Sequence, residues 1–598
     1  MARVQQVAVP WEQAVRPRRP VWRRAVLALW PLALAFVLLA PLYGAAGSLL
    51  ARDLVFLPRH AWNDAALGLS DGPPRAVPLD SVMALLTSVV DGQVLARVVL
   101  PLLLASAGWG VAVLVRELGF VAQLTGSGFA VWNLYVVERL ALGQWALLAA
   151  YAALPWALAA GVRFRRSGRA CDIASVTAWS ALASLTPTGG LVALATTVAA
   201  TASRRPATML PVLPVALLQL PWVVASLTGT GRATSSADGV TAFAPDTDSP
   251  VGSVVALLGL GGIWDSQSEP ATAASWFALV VAVATVATTV VGIRRLRAGG
   301  WHDVVRRLVG LAAVGLAVAV VAALPPGRDL LEWTVESVPG AGLLRDAQKL
   351  LAPYAVLASV AVAAAAGGVA RMACRWDAEV RFAALVPLVV APVLLVPDAP
   401  TVTWPTVTPV ELPSSLAAVE DRVADDGRAV ATLPWRSYRG FTWADHGRTS
   451  SDPLVRMLTG PVVVSDDLQV GSRLVPGEGA LTAEVSRAVE ARDLAALERL
   501  GVGWLVVYGD DPQSPEVAAW LDSAAVREVA RSPEVTVHEL AGTGEWPESS
   551  SGRRTAVVLA HLAAALVALV ALVGATCTRV CDMRRKGRRS GAPDVSSA

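Results

Sequence analysis

The segment WNLYVVERLALGQWALLAAYAALPW, Trp132 to Trp156, decides how the rest of the chain is read. One apolar run ends at Trp132 and another begins at Trp145. Between them stands a short polar patch carrying Asn133, Glu138, Arg139 and Gln144. The patch is too short for a domain and too polar for lipid. It reads as a tight turn at a membrane face, with Trp132, Tyr135 and Trp145 as interfacial anchors. Ionisable side chains at a membrane are costly to desolvate, which makes Glu138 and Arg139 functional candidates. A pair that only caps two helices is the plainer alternative.

Composition extends that reading outward. The 598 residues are 54% hydrophobic and only 16% charged, with a mean hydropathy of +0.53. Soluble domains carry about 25% charged residues, so this is a membrane chain. Its net charge of +3 singles out no nucleic-acid partner. Four cysteines are too few and too scattered for a disulfide framework. There is no paired CxxC, no HExxH and no clustered histidine, so neither a metal site nor a cofactor is legible.

An Arg-rich start (Arg16, Arg18, Arg19, Arg23, Arg24) leads into an apolar segment from Ala25 to Ala45. About 20 residues suffice to cross a bilayer, so this is a retained first helix rather than a cleaved signal. Eleven more spans are expected: Val98–Val115, Leu118–Trp132, Trp145–Val162, Ile173–Leu185, Gly190–Ala202, Leu210–Leu227, Ala273–Ile293, Leu308–Leu324, Leu350–Ala370, Phe382–Val396 and Thr555–Thr576. With the N-terminus inside, the basic clusters Arg163–Arg169, Arg204–Arg205, Arg294–Arg297, Arg306–Arg307, Arg371–Arg381 and Arg579–Arg589 all fall on the cytoplasmic side. Cys171, Cys374, Cys577 and Cys581 fall there too. The expectation is a multi-pass plasma (inner) membrane protein with both termini cytoplasmic.

Two exterior regions follow. Residues 228–275 read as an irregular or partly ordered flap rich in Gly, Ser, Thr, Asp and Pro. Residues 397–554 read as a soluble α/β domain, with strands at Ala429–Trp435, Pro461–Asp467 and Gly503–Asp511 and a helix at Ser486–Gly501. The division is thus a basic cytoplasmic segment 1–24, a membrane domain 25–396 with exterior loops 46–97 and 228–275, the exterior domain 397–554, a last helix 555–576, and a basic tail 577–598.

The opening segment resembles the motif NP(F/Y)VYERL..GQW.LLLGYA.LPW of bacterial membrane proteins with a GT-C glycosyltransferase-like fold. These include YfhO-type proteins and the large arabinofuranosyltransferases. Tyr135, Glu138, Arg139, Leu140, Gly143, Gln144, Trp145, Tyr151, Pro155 and Trp156 match. Leu134 replaces the expected proline, a departure that would loosen the turn. The fold class implied is a polytopic α-helical membrane protein, GT-C-like, of about 12 spans with an extracytoplasmic α/β domain before the last helix.

The resemblance implies a reaction as well: a sugar moves from a polyprenyl-phosphate donor to an exterior glycan, lipid or protein. An inverting transfer needs a carboxylate as general base and cations on the leaving phosphate. The family places the base on the first exterior loop, where Asp53 stands, with Arg52 and Arg59 beside it to pair it or to hold phosphate. An Arg52–Asp53 pair that only caps an interfacial helix is the alternative; Asp64, Asp71 and Asp80 are rivals on the same loop. The segment VPGAGLLRDAQKLLAPY, Val338 to Tyr354, is similar to the family's PG…FR.P.KF. Its Arg345 and Lys349, four apart, would share a helix face and suit a lipid-linked phosphate, or merely a phospholipid headgroup. Glu138, Arg139 and Gln144 are expected at the same exterior level as substrate-binding groups. Trp435, Trp443, Asp466 and Asp467 could line a glycan groove, since aromatic faces stack on sugars, but are read as ordinary core and turn residues. The competing class is a non-catalytic transporter or assembly component for envelope polymers, for which broken mid-membrane helices would argue.

Overall fold

The computed structural model describes residues 20–589 apart from 230, 232–233, 246, 424–425 and 445–446, with side chains described through 576. The first nineteen residues, the basic end of the tail, and the side chains of Cys577 and Cys581 therefore lie outside the described residues.

The chain begins with α1 (Val21–Leu38) and the hairpin β1 (Leu49–Ala51) and β2 (Leu54–Phe56). Then come α2 (Gly92–Leu114), α3 (Phe120–Val131), α4 (Leu134–Ala141), α5 (Trp145–Ser167), α6 (Ala170–Ala183) and α7 (Pro187–Thr201). A bent pair follows, α8 (Val212–Leu217) and α9 (Leu220–Leu227). Next are α10 (Phe277–Ala298), α11 (His302–Ala323), α12 (Ala352–Ala373), α13 (Ala378–Leu395) and α14 (Ala399–Val407). The sheet domain then intervenes before α16 (Ser551–Arg589) closes the described chain.

Among the described residues nine helices are long and apolar enough to cross a membrane, or ten if the pair bent by 58° at α8–α9 counts as one span. The protein is therefore a polytopic membrane protein, and the expected twelve spans are corrected to nine or ten. The reason is length. Helices α6 and α7 have 14 and 15 residues; at ~1.5 Å per residue they rise only about 21–23 Å, short of the ~30 Å hydrocarbon core. Burial separates centre from rim: 89% of the spans holding α3–α4, α5 and α12 is buried, against 6% of α13.

The expected turn inside Trp132–Trp156 is instead a helix. Asn133 caps α4, its Oδ1 accepting the Val136 N–H at 3.1 Å. Leu134 at the first helical position has therefore not loosened it. Trp132, Tyr135 and Trp145 are buried at 2%, 0% and 6% exposure, so they are core residues rather than interfacial anchors. Hydrogen bonds explain how they bury polar atoms: Trp132 Nε1 donates to the Val396 carbonyl at 2.8 Å, and Tyr135 Oη to that of Lys349 at 3.0 Å.

The sheet domain is built on β3 (Ala429–Leu433), β4 (Val462–Val463), the hairpin β5 (Leu468–Val470) and β6 (Arg473–Val475), α15 (Ala480–Glu490), β7 (Val502–Tyr508), β8 (Arg527–Arg531) and β9 (Val535–Glu539). Its five-stranded sheet runs β8-β9-β7-β3-β4, parallel where β3 meets β4 and β7, antiparallel where β9 meets β7 and β8. The expected strands at Ala429 and Gly503 are there, and that at Pro461 shrinks to two residues. The expected Ser486–Gly501 helix is broken, because Arg492 takes a left-handed φ of +54° and Asp493 starts a new helix by capping the Ala496 N–H at 2.9 Å. Residues 228–275 are partly ordered: Asp238–Ala242 and Ser253–Leu258 are helical, and Leu257, Leu260 and Ile263 are buried.

The β1–β2 hairpin joins the two halves. Alternate residues of a strand face opposite sides. Leu49, Leu54 and Phe56 accordingly enter the membrane core, while Leu50, Val55 and Leu57 enter the sheet-domain core beside Trp504 and Val506.

Candidate functional site

The turn of that hairpin consists of Arg52 and Asp53, between the paired residues Ala51 and Leu54. Arg52 adopts a left-handed φ of +55°, and its backbone N–H donates to the Thr449 carbonyl at 2.7 Å. The turn is also held from below by Gly143, at φ +76°. A Cβ there would stand 2.6 Å from the Leu54 nitrogen and 2.9 Å from that of Asp53, so only glycine fits.

Asp53 faces a cavity of about 1860 Å³ between the membrane helices and the sheet domain. Arg52, Gln144, Arg345 and Lys349 line the same cavity. Five of the eight residues expected from sequence are thus brought together. Arg59 is exposed and is not among the lining residues. Glu138 and Arg139 lie behind the wall, both fully buried.

The pairings differ from those the sequence suggests. Arg52 does not pair with Asp53; its Nη2 meets both oxygens of Asp265 at 3.1 and 3.2 Å and Gln267 Oε1 at 2.7 Å. Asp53 instead accepts the hydroxyl of Tyr438, from the sheet domain. Burial first, and the Asp53 charge second, push the Tyr438 phenol well above its ordinary range, so it stays a donor. The rival carboxylates are committed elsewhere. Asp64 is gripped by both nitrogens of the Arg554 fork at 2.7 Å, Asp71 accepts the N–H groups of Leu481 and Thr482, and Asp80 pairs with Arg456 at 3.2 Å. Asp53 lines the cavity with the neutral Tyr438 hydroxyl as its partner, while Asp71, which lines it too, accepts backbone N–H groups of the sheet domain.

Glu138 and Arg139 do not pair with each other. Arg139 makes a bidentate contact to Asp346, each N–O distance 2.8 Å, and donates to Gln144 Oε1 at 2.7 Å and to Gln348. Glu138 accepts from Gln348 Nε2 at 2.9 Å. This network fixes the segment bearing Arg345 and Lys349, which is not one helix. It forms two 3-10 turns, Ala341–Leu344 and Ala347–Leu351, separated at Asp346. Burial works to raise the Asp346 carboxyl, but the charges of Arg139 and Lys349 outweigh it and hold the group down to about 2. Lys349 Nζ sits 3.4 Å from Asp346, and Arg345 Nη1 sits 2.7 Å from Glu478. Burial, then repulsion from Arg75, bring Arg345 down to about 10, so it remains a cation near neutrality.

Of the sheet-domain residues read as core and turn, Trp435 and Asp467 line the cavity, and Asp466 caps the N–H groups of Glu478 and Gly479 at 2.8 Å each. Trp443 stacks on Phe441 in the domain core. Chemically, the cavity combines a carboxylate that retains lone pairs for a hydroxyl proton with a ring of cations suited to an anionic group.

No model of a known protein family matches this sequence. No curated protein matches it either. Among solved structures, the fold is similar to that of the arabinofuranosyltransferase AftD from Mycobacteria, determined by single-particle cryo-EM: TM-score 0.51, 17% identity, 89% of this chain and 40% of that chain. A second structure, of a mutant of that enzyme, gives 0.50, 17%, 89% and 42%. This chain thus spans about two fifths of the length of the structures it matches. The similarity to large arabinofuranosyltransferases expected from the sequence is matched at the level of fold.

Proposed function

We propose that this polytopic membrane protein is a GT-C-type glycosyltransferase. It moves a sugar from a polyprenyl-phosphate donor to an extracytoplasmic glycan, lipid or protein of the cell envelope. The observation that carries this reading is Asp53, set on a rigid turn in a cavity shared with Arg345 and Lys349 at the seam of the membrane and sheet domains. The AftD-like fold supports it. The orientation that suits it places the sheet domain outside and the arginine-rich helix ends, Arg163–Arg169 and Arg294–Arg297, in the cytoplasm.

In this reading Asp53 takes the proton of the acceptor hydroxyl as its oxygen bonds to the sugar's anomeric carbon. The bond from that carbon to the phosphate oxygen breaks, and the charge left on the carrier phosphate is met by Arg345 and Lys349. Arg52 binds the wall loop at Asp265 and Gln267, and Arg139 with Gln144 and Glu138 holds the cationic segment in place.

The test is sugar transfer by the purified protein in lipid, over a panel of polyprenyl-phosphate sugars, comparing wild type with Asp53→Asn. Transfer that falls on the order of 10²–10⁴-fold in the variant while donor binding persists supports the reading. Equal turnover by both proteins removes Asp53 from the role. A second reading, a transporter or assembly component, is favoured by the bend between α8 and α9, a break of the kind found in transporter helices. Movement of an intact lipid-linked sugar across vesicles without transfer would select it.

A further inference from the structure

Arg75 and Arg345 come from distant loops, yet both guanidinium groups end on one oxygen. Arg75 Nη2 lies 3.2 Å and Arg345 Nη1 2.7 Å from Glu478 Oε1, and all three residues line the Asp53 cavity. Glu478 and Arg345 are nearly enclosed, at 5% and 11% side-chain exposure, while Arg75 is open at 52%. Behind Arg345 lies the Phe243 ring, 5.8 Å from the guanidinium carbon. Two planar forks converging from a cavity wall suit a phosphate, because each offers paired N–H donors to its oxygens. Glu478 belongs to the opposite wall. It ends the segment of the sheet domain that carries the β5–β6 hairpin, whose turn residues Gly471 and Ser472 are exposed.

We infer that Arg75 and Arg345 form the subsite for a lipid-linked phosphate, and that Glu478 is its exchangeable occupant. The carboxylate holds the two cations until a phosphate displaces it. This rests on the reading of the cavity as a donor site. Leaving both guanidinium groups partly buried without an anion is unfavourable, so one anion replaces another rather than leaving a gap. A phosphodiester donor carries one negative charge and exchanges with Glu478 like for like. The phosphomonoester left after transfer carries about −1.5 to −2 and would be retained by the same pair. The return of Glu478 offsets that retention and lets the spent carrier leave.

The test is equilibrium binding of farnesyl phosphate to the full chain in phosphatidylcholine nanodiscs. Glu478→Gln keeps the side chain's size but removes its charge, and should bind the probe about tenfold tighter than wild type. Arg345→Gln should bind weakly, and Glu478→Gln combined with Arg345→Gln should lose the gain. Affinity unchanged or lowered in a folded Glu478→Gln overturns the exchange. Should that variant fail to fold, the exposed Arg75→Gln decides: weaker probe binding supports the subsite and unchanged binding overturns it. Two further arms identify the source. A gain seen with farnesyl phosphate but not with inorganic phosphate or phosphatidylglycerol nanodiscs supports a prenyl carrier. A gain confined to either of those two overturns it. Tighter farnesyl phosphate binding by Glu478→Gln without any sugar transfer would keep the subsite and remove the transferase reading. Transfer with no change in binding would do the reverse.

Discussion

At the scale of single residues, the buried Arg139–Asp346 contact is the most consequential pair. Asp346 in the folded protein is held down to about 2 from an ordinary 3.8, so the unfolded chain binds more protons between those values. Its contribution to stability is complete above pH 3.8 and disappears as the pH falls through about 2. Replacing it with Asn should leave a buried guanidinium unpaired and cost about 3–5 kcal/mol, read as a lowered melting temperature in detergent at pH 7. The same variant should lose stability less steeply in that acid window, because only the other carboxylates then titrate there; an unaltered acid profile would count against the pairing. Arg139, Arg345, Lys349 and Asp53 all stood out in the sequence as candidate residues. Their partners were not. Tyr438 stands 385 residues from Asp53, Asp265 213 from Arg52, and Glu478 133 from Arg345. A hydrogen bond over such separations leaves no periodic trace in one sequence. The Arg52–Asp53 pair was the natural reading only because adjacent opposite charges are visible.

At the scale of elements, the hairpin and the α4–α5 corner act as one unit, because Gly143 abuts the Asp53 turn. Gly143→Ala should push that turn outward, since its Cβ would meet two backbone nitrogens within 3 Å. A shift of about 1 Å at a reacting group can cost on the order of 10²-fold, so turnover should fall by that much with donor binding little changed. Turnover within twofold of wild type would show that the turn tolerates the displacement. Long apolar periods made the nine spans readable, and β-branched runs made β3 and β7 readable. What failed were the short pieces. The segments around Ile173 and Gly190 look like spans by composition, but they are short in the sequence already, and their helices end after 14 and 15 residues. Arg345 and Lys349 satisfy the helical spacing, but Asp346 turns away to meet Arg139 and splits the segment. Tertiary charge pairing overrode local periodicity there, and no local signal announces it.

At the scale of the whole molecule, alternating spans put the sheet domain at one end of the bundle and the arginine clusters Arg163–Arg169, Arg294–Arg297 and Arg306–Arg307 at the other. Cys374 is exposed at the arginine-rich end, beyond α12. An impermeant thiol reagent added to intact cells should therefore leave the native protein unlabelled, while Gly471→Cys, on the exposed β5–β6 turn, should react. Labelling of the native protein would invert the orientation. Helix α16 adds a consequence for biogenesis. It packs along α6 and α9 but is translated only after the entire sheet domain has been made. The flank of those two helices must therefore wait, facing lipid or the insertion machinery, until synthesis is nearly complete. A nonsense codon between Glu539 and Ser551 would release a protein with its cavity walls made, its bundle open along one side, and an uncovered helix flank exposed to membrane quality control.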